Sequence, residues 1–211
     1  MRDTNEYKIP DAIKRVKETS KTKFDASVET HINLDIDPTK QIVRFLITLP
    51  HGTGKTQKIA VLSDKKVEKA DINLSEADLS KIEKGDIKPG TDFDIFITQP
   101  KFMPKVAKIA KILGPVGLMP NPKNGTVVEN IEKAVEEFKA GKVEIRTEQK
   151  APIIHIVIGK VSFGEKELEE NLQEIIKTLK QNKPQKAKPS WIKSIFLTSS
   201  MGPSIKLSLE D

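Results

Sequence analysis

Two periodicities divide this chain, and their order constrains its fold more than any single motif does. At both ends, apolar residues alternate as they do in strands. Ser27 to Leu34 places Val28, Thr30, Ile32 and Leu34 on one face. Ile42 to Leu49 is almost continuously apolar and reads as a central strand. Val143–Thr147, Ile153–Ile158, Trp191–Thr198 and Ile205–Leu209 supply the strands of the last third. Between the ends, strands alternate with helices. Lys58–Leu62 and Phe93–Thr98 read as strands. Asp64–Ala70, Ser75–Lys84, Lys101–Leu113 and Glu129–Ala140 read as helices, with Ser75 and Asp78 as a capping pair. A helix opens at Pro10-Asp11, and a long one runs from Glu165 to Asn182 with its acids early and its lysines late, matching the helix dipole. Alternation of strand and helix favours a parallel sheet. The economical reading is one α+β domain made from residues 1–52 and 142–211, with an α/β domain inserted at 53–141. The chain would then cross twice, near Gly52 and Gly141, and glycine at both crossings suits a hinge.

Composition narrows the function. The 36 Lys and Arg against 30 Asp and Glu give +6, and a pI near 9.3 favours partners that carry phosphates. All but Arg2, Arg15, Arg44 and Arg146 of those cations are lysines. Lysine is a point charge for phosphate, not a bidentate reader of base edges, so sequence-specific DNA readout is disfavoured. The split part holds 21 basic and 17 acidic residues and the insert 15 and 13, so the excess leans toward the split part. Cysteine is absent, which excludes disulfides and thiolate metal ligands. No run of about 18 apolar residues exists for a membrane span, and the first ten residues do not resemble a secretory signal.

Catalytic motifs are missing. Gly52-Thr53-Gly54-Lys55-Thr56 looks like a phosphate loop, but that motif needs a further glycine at position 49, where leucine stands. A nucleotide-binding enzyme built on the insert remains the alternative, and Thr98-Gln99-Pro100-Lys101, its best strand-to-helix turn, lacks glycine. His31, His51 and His155 lie in separate segments, none at metal-ligand spacing, so no metal or other cofactor is expected. Three sequence features could contact a ligand. Lys101, Lys105, Lys108 and Lys111 form a stripe opposite Phe102, Val106, Ile109 and Leu113, which suits either a solvated face or an RNA-backbone contact. The run GPVGLMPNPKNGTV at 114–127, with three prolines and three glycines, reads as neither helix nor strand but as a rigid loop with Lys123 at its tip. Thr198-Ser199-Ser200-Met201-Gly202-Pro203-Ser204 is a hydroxyl-rich bend, and its chemistry suits ribose and phosphate as well as an ordinary turn.

Five runs in order carry a resemblance: KFDASVETHINL at 23–34, LPHG at 49–52, GPVGLMPNPKNGTV at 114–127, GKVSF at 159–163 and SSMGP at 199–203. From about residue 7 to the end, the chain resembles the bacterial large-subunit ribosomal protein one family. The resemblance implies a split α+β domain with an inserted Rossmann-like α/β domain, and no enzymatic activity. It implies binding to large-subunit rRNA at the mobile stalk, contact with exit-site tRNA as it leaves, and repression of own-operon mRNA, by a cytoplasmic protein that is monomeric off the ribosome. Carried over, the RNA-binding residues are Lys23, Phe24, Ser27, Glu29 and His31, then Lys160, Ser162 and Phe163, then Ser199, Ser200, Met201 and Gly202. Ser27 and Ser200 stand where relatives often have threonine, which keeps the hydroxyl. Relatives usually carry a basic extension before the first helix. This chain starts almost at Tyr7, which fits either lower affinity or a trimmed form.

Overall fold

The computed structural model describes residues 5–38, 41–64, 66–148, 150–184 and 187–208. Its first elements are β1 (Glu6–Tyr7), α1 (Ile9–Thr19), β2 (Ser27–Leu34), β3 (Arg44–Thr48), β4 (Ile59–Leu62) and β5 (Ile72–Leu74). Next come α2 (Leu79–Lys84), β6 (Ile95–Thr98), α3 (Met103–Val106), α4 (Ala110–Val116) and α5 (Ile131–Lys139). The chain closes with β7 (Lys142–Arg146), β8 (Ile153–Lys160), α6 (Glu165–Gln181), β9 (Ile192–Ser199) and β10 (Ile205–Leu207). It divides into two compact units, Met1–Lys55 with Gly141–Asp211, and Thr56–Ala140. Mixed α/β architecture with three sheets results.

In the first unit a five-stranded sheet runs β1-β10-β9-β2-β8. Period-2 patterning decides which side is covered. Val28, Thr30, Ile32 and Leu34 of β2 point inward as expected, and Ile154, Ile156, Ile158, Ile195 and Leu197 join them. Helices α1 and α6 close that face through Ile13, Val16, Leu168, Leu172, Ile175 and Leu179. Alternate residues face the other way: Ser27, Glu29 and His31 on β2, His155 and Val157 on β8, Phe196 and Thr198 on β9. Among the described residues, no helix of this unit covers that face.

One strand expectation needs correction here, and one strand was not expected. The segment read as a central strand forms β3, which among the described residues pairs with β7 alone in a two-stranded sheet. Its apolar run arises because Val43, Ile47 and Leu49 feed the core, while Ile42 is exposed. The two residues of β1, parallel to β10, were too few to read from sequence. Leu209, expected in the last strand, lies outside the described residues.

Buried Asn171 of α6 ties the chain near position 52 to the sheet. Its Nδ2 donates to Gly52 O at 2.9 Å and Ile158 O at 2.8 Å, and its Oδ1 accepts from His51 N at 3.1 Å. Gly52 and Gly141 touch there. A Cβ on Gly141 would stand 2.6 Å from Gly52 Cα, and φ values of +64° and +99° disfavour any other residue type at either position.

The second unit has a parallel sheet, β5-β4-β6, as the strand–helix alternation requires. An isolated bridge extends it from Thr98 to Val127. Every residue of β4 is buried, because both faces of the sheet are covered. Ala60, Leu62 and Phe96 pack against Val106, Ile109 and Leu113, while Ile59, Val61 and Ile97 pack against Ile131, Val135 and Phe138.

Local polar groups correct several helix expectations in this unit. No helix forms over the described residues of 64–70. Asn73 takes that backbone instead, accepting from Val67 N at 2.8 Å and donating to Val67 O at 3.0 Å. Asp78 accepts from Ser75 N at 3.0 Å as the capping pair predicts, but a 3-10 turn at Glu76–Asp78 precedes the helix proper. The expected single helix over 101–113 is segmented, with 3-10 turns at Pro100–Phe102 and Ala107–Ile109 around α3. Helix α4 also runs through Gly114-Pro115-Val116 and stops at Gly117, so the loop read at 114–127 begins later than its composition suggests. Lys123 is pinned within that loop, its N–H donating to Asn121 Oδ1 at 2.9 Å.

Candidate RNA-binding surface

Antiparallel register brings three distant chain segments to one end of the five-stranded sheet. Ser27 pairs with Lys160, and Val28 pairs with Ser199 on the other side. The ladder continues past the strand ends. Val161 N donates to Ala26 O at 2.9 Å, and Ser200 N donates to Ser27 O at 2.9 Å. Residues 23–27, 160–163 and 199–202 therefore border one another.

Side chains follow the same convergence. Lys160 Nζ donates to Ser27 Oγ at 2.9 Å. Ser162 donates to Asp25 through both N and Oγ, at 3.1 Å and 2.8 Å, and Lys17 Nζ donates to Phe163 O. The ring of Phe163 is half-buried against the core and flanks Gly159 and Gly54. Two apolar groups project from the rim: Phe24 is 56% exposed and Met201 91%. Exposed apolar side chains beside lysines and hydroxyls can lie against bases while the polar groups hold the backbone.

The bend after β9 is tightly built. Gly202 N donates to Ser199 O at 2.8 Å, and Thr198 Oγ1 donates to Gly202 O at 3.2 Å. A Cβ on Gly202 would lie 2.2 Å from Ser199 Oγ. Met201 holds φ +63°, an uncommon value for a residue other than glycine. Ser199 is only 1% exposed, so it shapes the bend rather than offering its hydroxyl outward. Ser200, Met201 and Gly202 form the outer part. Glu29 and His31 lie farther along β2, on the face opposite α1 and α6.

Four residues near this surface escaped selection from sequence. Asp25 stood inside a segment already singled out, yet nothing there marked it as the partner of Ser162. Lys17 reaches the site from α1. Gly54, part of the apparent phosphate loop, is explained by packing, since a Cβ would meet Lys160 Cγ at 2.8 Å and Phe163 Cε1 at 2.9 Å. His155 is the register partner of His31, and their Nδ1 atoms stand 2.7 Å apart. Strand register creates that pair, and sequence spacing gave no sign of it.

The second unit holds a crevice of about 430 Å³ at the ends of β4 and β6, lined by Ser63, Asp64, Gln99, Glu129, Asn130 and Glu132 among others. Asn130 caps α5 there, its side chain accepting from Lys133 N. Three carboxylates oppose a nucleotide phosphate. On the neighbouring stripe, Lys101 pairs with Asp64 and Lys105 with Glu76. Among the described residues, no cluster of three or more His, Cys, Asp or Glu could hold a metal ion, and no helix is long and apolar enough to cross a membrane.

Comparison with known proteins shows the family. The family model described as "Ribosomal protein L1p/L10e family" matches residues 16–203. The large ribosomal subunit protein uL1 of Prochlorococcus marinus (strain NATL1A) is 45% identical over 213 residues, covering 97% of this chain and 88% of the relative. The uL1 proteins of Mesoplasma florum and Mycoplasma capricolum are 44% and 45% identical, covering 96% and 95% of this chain and 91% and 90% of their own lengths. The match spans residue 16 to the SSMGP bend, and this chain belongs to the ribosomal protein L1p/L10e family, as a structural and non-catalytic constituent of the large ribosomal subunit.

Proposed function

We propose that the end of the five-stranded sheet binds folded large-subunit rRNA at the mobile stalk. In this reading the cytoplasmic protein, a monomer before assembly, assists release of deacylated tRNA from the exit site. It also represses translation of its own operon mRNA through the same surface. The observation that carries the proposal is the convergence of 23–27, 160–163 and 199–202 through direct ladder hydrogen bonds. Lys23, Lys160 and Lys17 give the surface positive charge. Phe24 and Met201 give it apolar contact, and Ser27, Ser162 and Ser200 give it hydroxyls. Of the contacts assigned from the resemblance, Ser199 and Phe163 act by shaping the surface. Arginine-poor chemistry of this kind suits backbone and shape recognition of structured RNA.

The domain reading belongs to the same proposal: a split α+β domain at 1–52 and 142–211 carries the RNA, and a Rossmann-like domain is inserted at 53–141. What supports it is the division into Met1–Lys55 with Gly141–Asp211 and Thr56–Ala140, together with the parallel strands of the second unit. Gly52 and Gly141, adjacent and both at positive φ, would serve as the hinge.

Salt dependence tests the binding claim. If three or four lysines neutralise phosphates, log K for an rRNA stalk fragment falls with log salt at a slope of roughly −2 to −4. A filter-binding series at several salt concentrations measures it. A flat series would remove phosphate contact from the account.

A further inference from the structure

His31 and His155 are 124 positions apart and face each other across β2 and β8. Their Nδ1 atoms are 2.7 Å apart and their rings meet edge to face, with centroids 4.8 Å apart at 68°. Contact at that distance needs one hydrogen between the two nitrogens. Two N–H groups would collide, and two lone pairs would repel. On its far side, His155 Nε2 lies 3.5 Å from Glu148 Oε1, and a carboxylate there favours an N–H. With both rings neutral, the protons are then fixed. His155 carries its hydrogen on Nε2 and accepts at Nδ1, while His31 carries its hydrogen on Nδ1. His31 Nε2 is left as a bare acceptor.

Other groups around the pair keep that character. Glu29, two residues back on the same face of β2, is a second acceptor. From β9, His31 faces Phe196, with Thr198 opposite Glu29, and from β8 the neighbour of Glu29 is Val157. Lys160 lies at the far end of the face beside Ser27, and Lys206 of β10, opposite Phe196, is held by Glu6. Phosphate oxygens only accept hydrogen bonds at neutral pH, so a pair of acceptors cannot hold them. The RNA groups that can donate are ribose 2′-hydroxyls and exocyclic base amines.

We propose that His31 and His155 form a tautomer-locked acceptor unit in which His31 Nε2, on the same face of β2 as Glu29, takes a hydrogen bond from a ribose 2′-hydroxyl, and His155 is the positioning residue that fixes the acceptor. The inference rests on reading the Ser27–Lys160 end of this face as the RNA surface, with the histidine pair farther along β2 and β8. It divides the labour: lysines at the rim hold phosphate, and the acceptor unit distinguishes RNA from DNA.

Uptake of one proton by either ring destroys the acceptor. A protonated His31 carries hydrogen on both nitrogens. A protonated His155 donates from Nδ1, which drives the His31 hydrogen onto Nε2. Burial, and then the His155 charge, holds the His31 pKa below its usual value, and Glu29 offsets this in part. The sign follows. The acceptor form needs both rings neutral, and discrimination for RNA is lost as pH falls and the pair takes up its first proton, even while added positive charge strengthens phosphate contact.

The test uses the full chain and an rRNA stalk fragment, either native or 2′-deoxy-substituted. His155→Leu removes the partner, whereas His155→Asn places Oδ1 where Nδ1 stood. His155→Leu should lower affinity for native RNA about tenfold and bind both fragments alike, whereas His155→Asn should stay within about twofold of the wild type. Imidazole ¹⁵N spectra of the free proteins should place the His31 hydrogen on Nδ1 in the wild type and His155→Asn, and on Nε2 in His155→Leu. Equal binding by the two variants, or an Nε2 hydrogen on His31 in the wild type, overturns the acceptor role alone. If the wild type fails to bind the fragment, the RNA reading itself falls, and the acceptor role with it.

Discussion

Met201→Asp is expected to lower affinity for large-subunit rRNA by about tenfold to a hundredfold and to leave the thermal midpoint unchanged. The residue is 91% exposed, so the folded core loses nothing when it is replaced. Its φ of +63° lies where aspartate is among the better-tolerated residues, so the bend should keep its shape. What changes is the face turned to the ligand. An apolar, polarisable side chain disappears, and a carboxylate appears beside phosphates. A lost contact of this type costs about 1–3 kcal/mol, which sets the range given. Filter binding at fixed salt and a thermal melt measure the two halves of this expectation. Unchanged affinity would remove the 199–202 bend from the binding surface.

Asn171→Ala should act on the opposite quantity, destabilising the first unit by about 3 kcal/mol. The side chain is 0% exposed and serves three backbone groups, His51 N, Gly52 O and Ile158 O. Alanine would leave these groups without their partner, at about 1–3 kcal/mol for each that water cannot reach. Relaxation near the surface turn at 51–52 keeps the total toward the lower part of that range. In a unit of this size the midpoint should fall by about 10 °C. Thermal unfolding followed by circular dichroism measures it. A shift under about 2 °C would mean that the turn finds other partners.

Legibility from sequence depended on whether a feature was local. Strand β2 could be read because its inward residues alternate without a break, and α6 because its apolar stripe runs for several turns with the charge order of the dipole. Strand β5 could not, since three residues carry too little pattern and its Asn73 satisfies backbone in place of a helix. Strand β3 misled because continuous apolarity marks burial and does not say how many neighbours a strand has. The fourteen-residue loop was specific as a family mark, yet its first three residues extend α4, since proline near the end of a helix costs little when Gly117 stops it.

The candidate site divides along the same line. Phe24, Ser27, Lys160 and Met201 were assigned because short runs of the chain carry the family resemblance. The partnership of His31 with His155, and of Asp25 with Ser162, depends on register between strands far apart in sequence, which no local pattern encodes. Gly54 illustrates a third case. Its motif suggested phosphate chemistry, but its absent side chain makes room for Lys160 and Phe163.

Photocrosslinking of the purified chain to total ribosomal RNA, followed by mapping of the modified peptides, tests the proposed surface most directly. The account predicts that stalk RNA from the large subunit attaches within residues 23–31, 160–163 and 199–202. Adducts confined to 56–140, or to the helices on the covered side of the sheet, would contradict it.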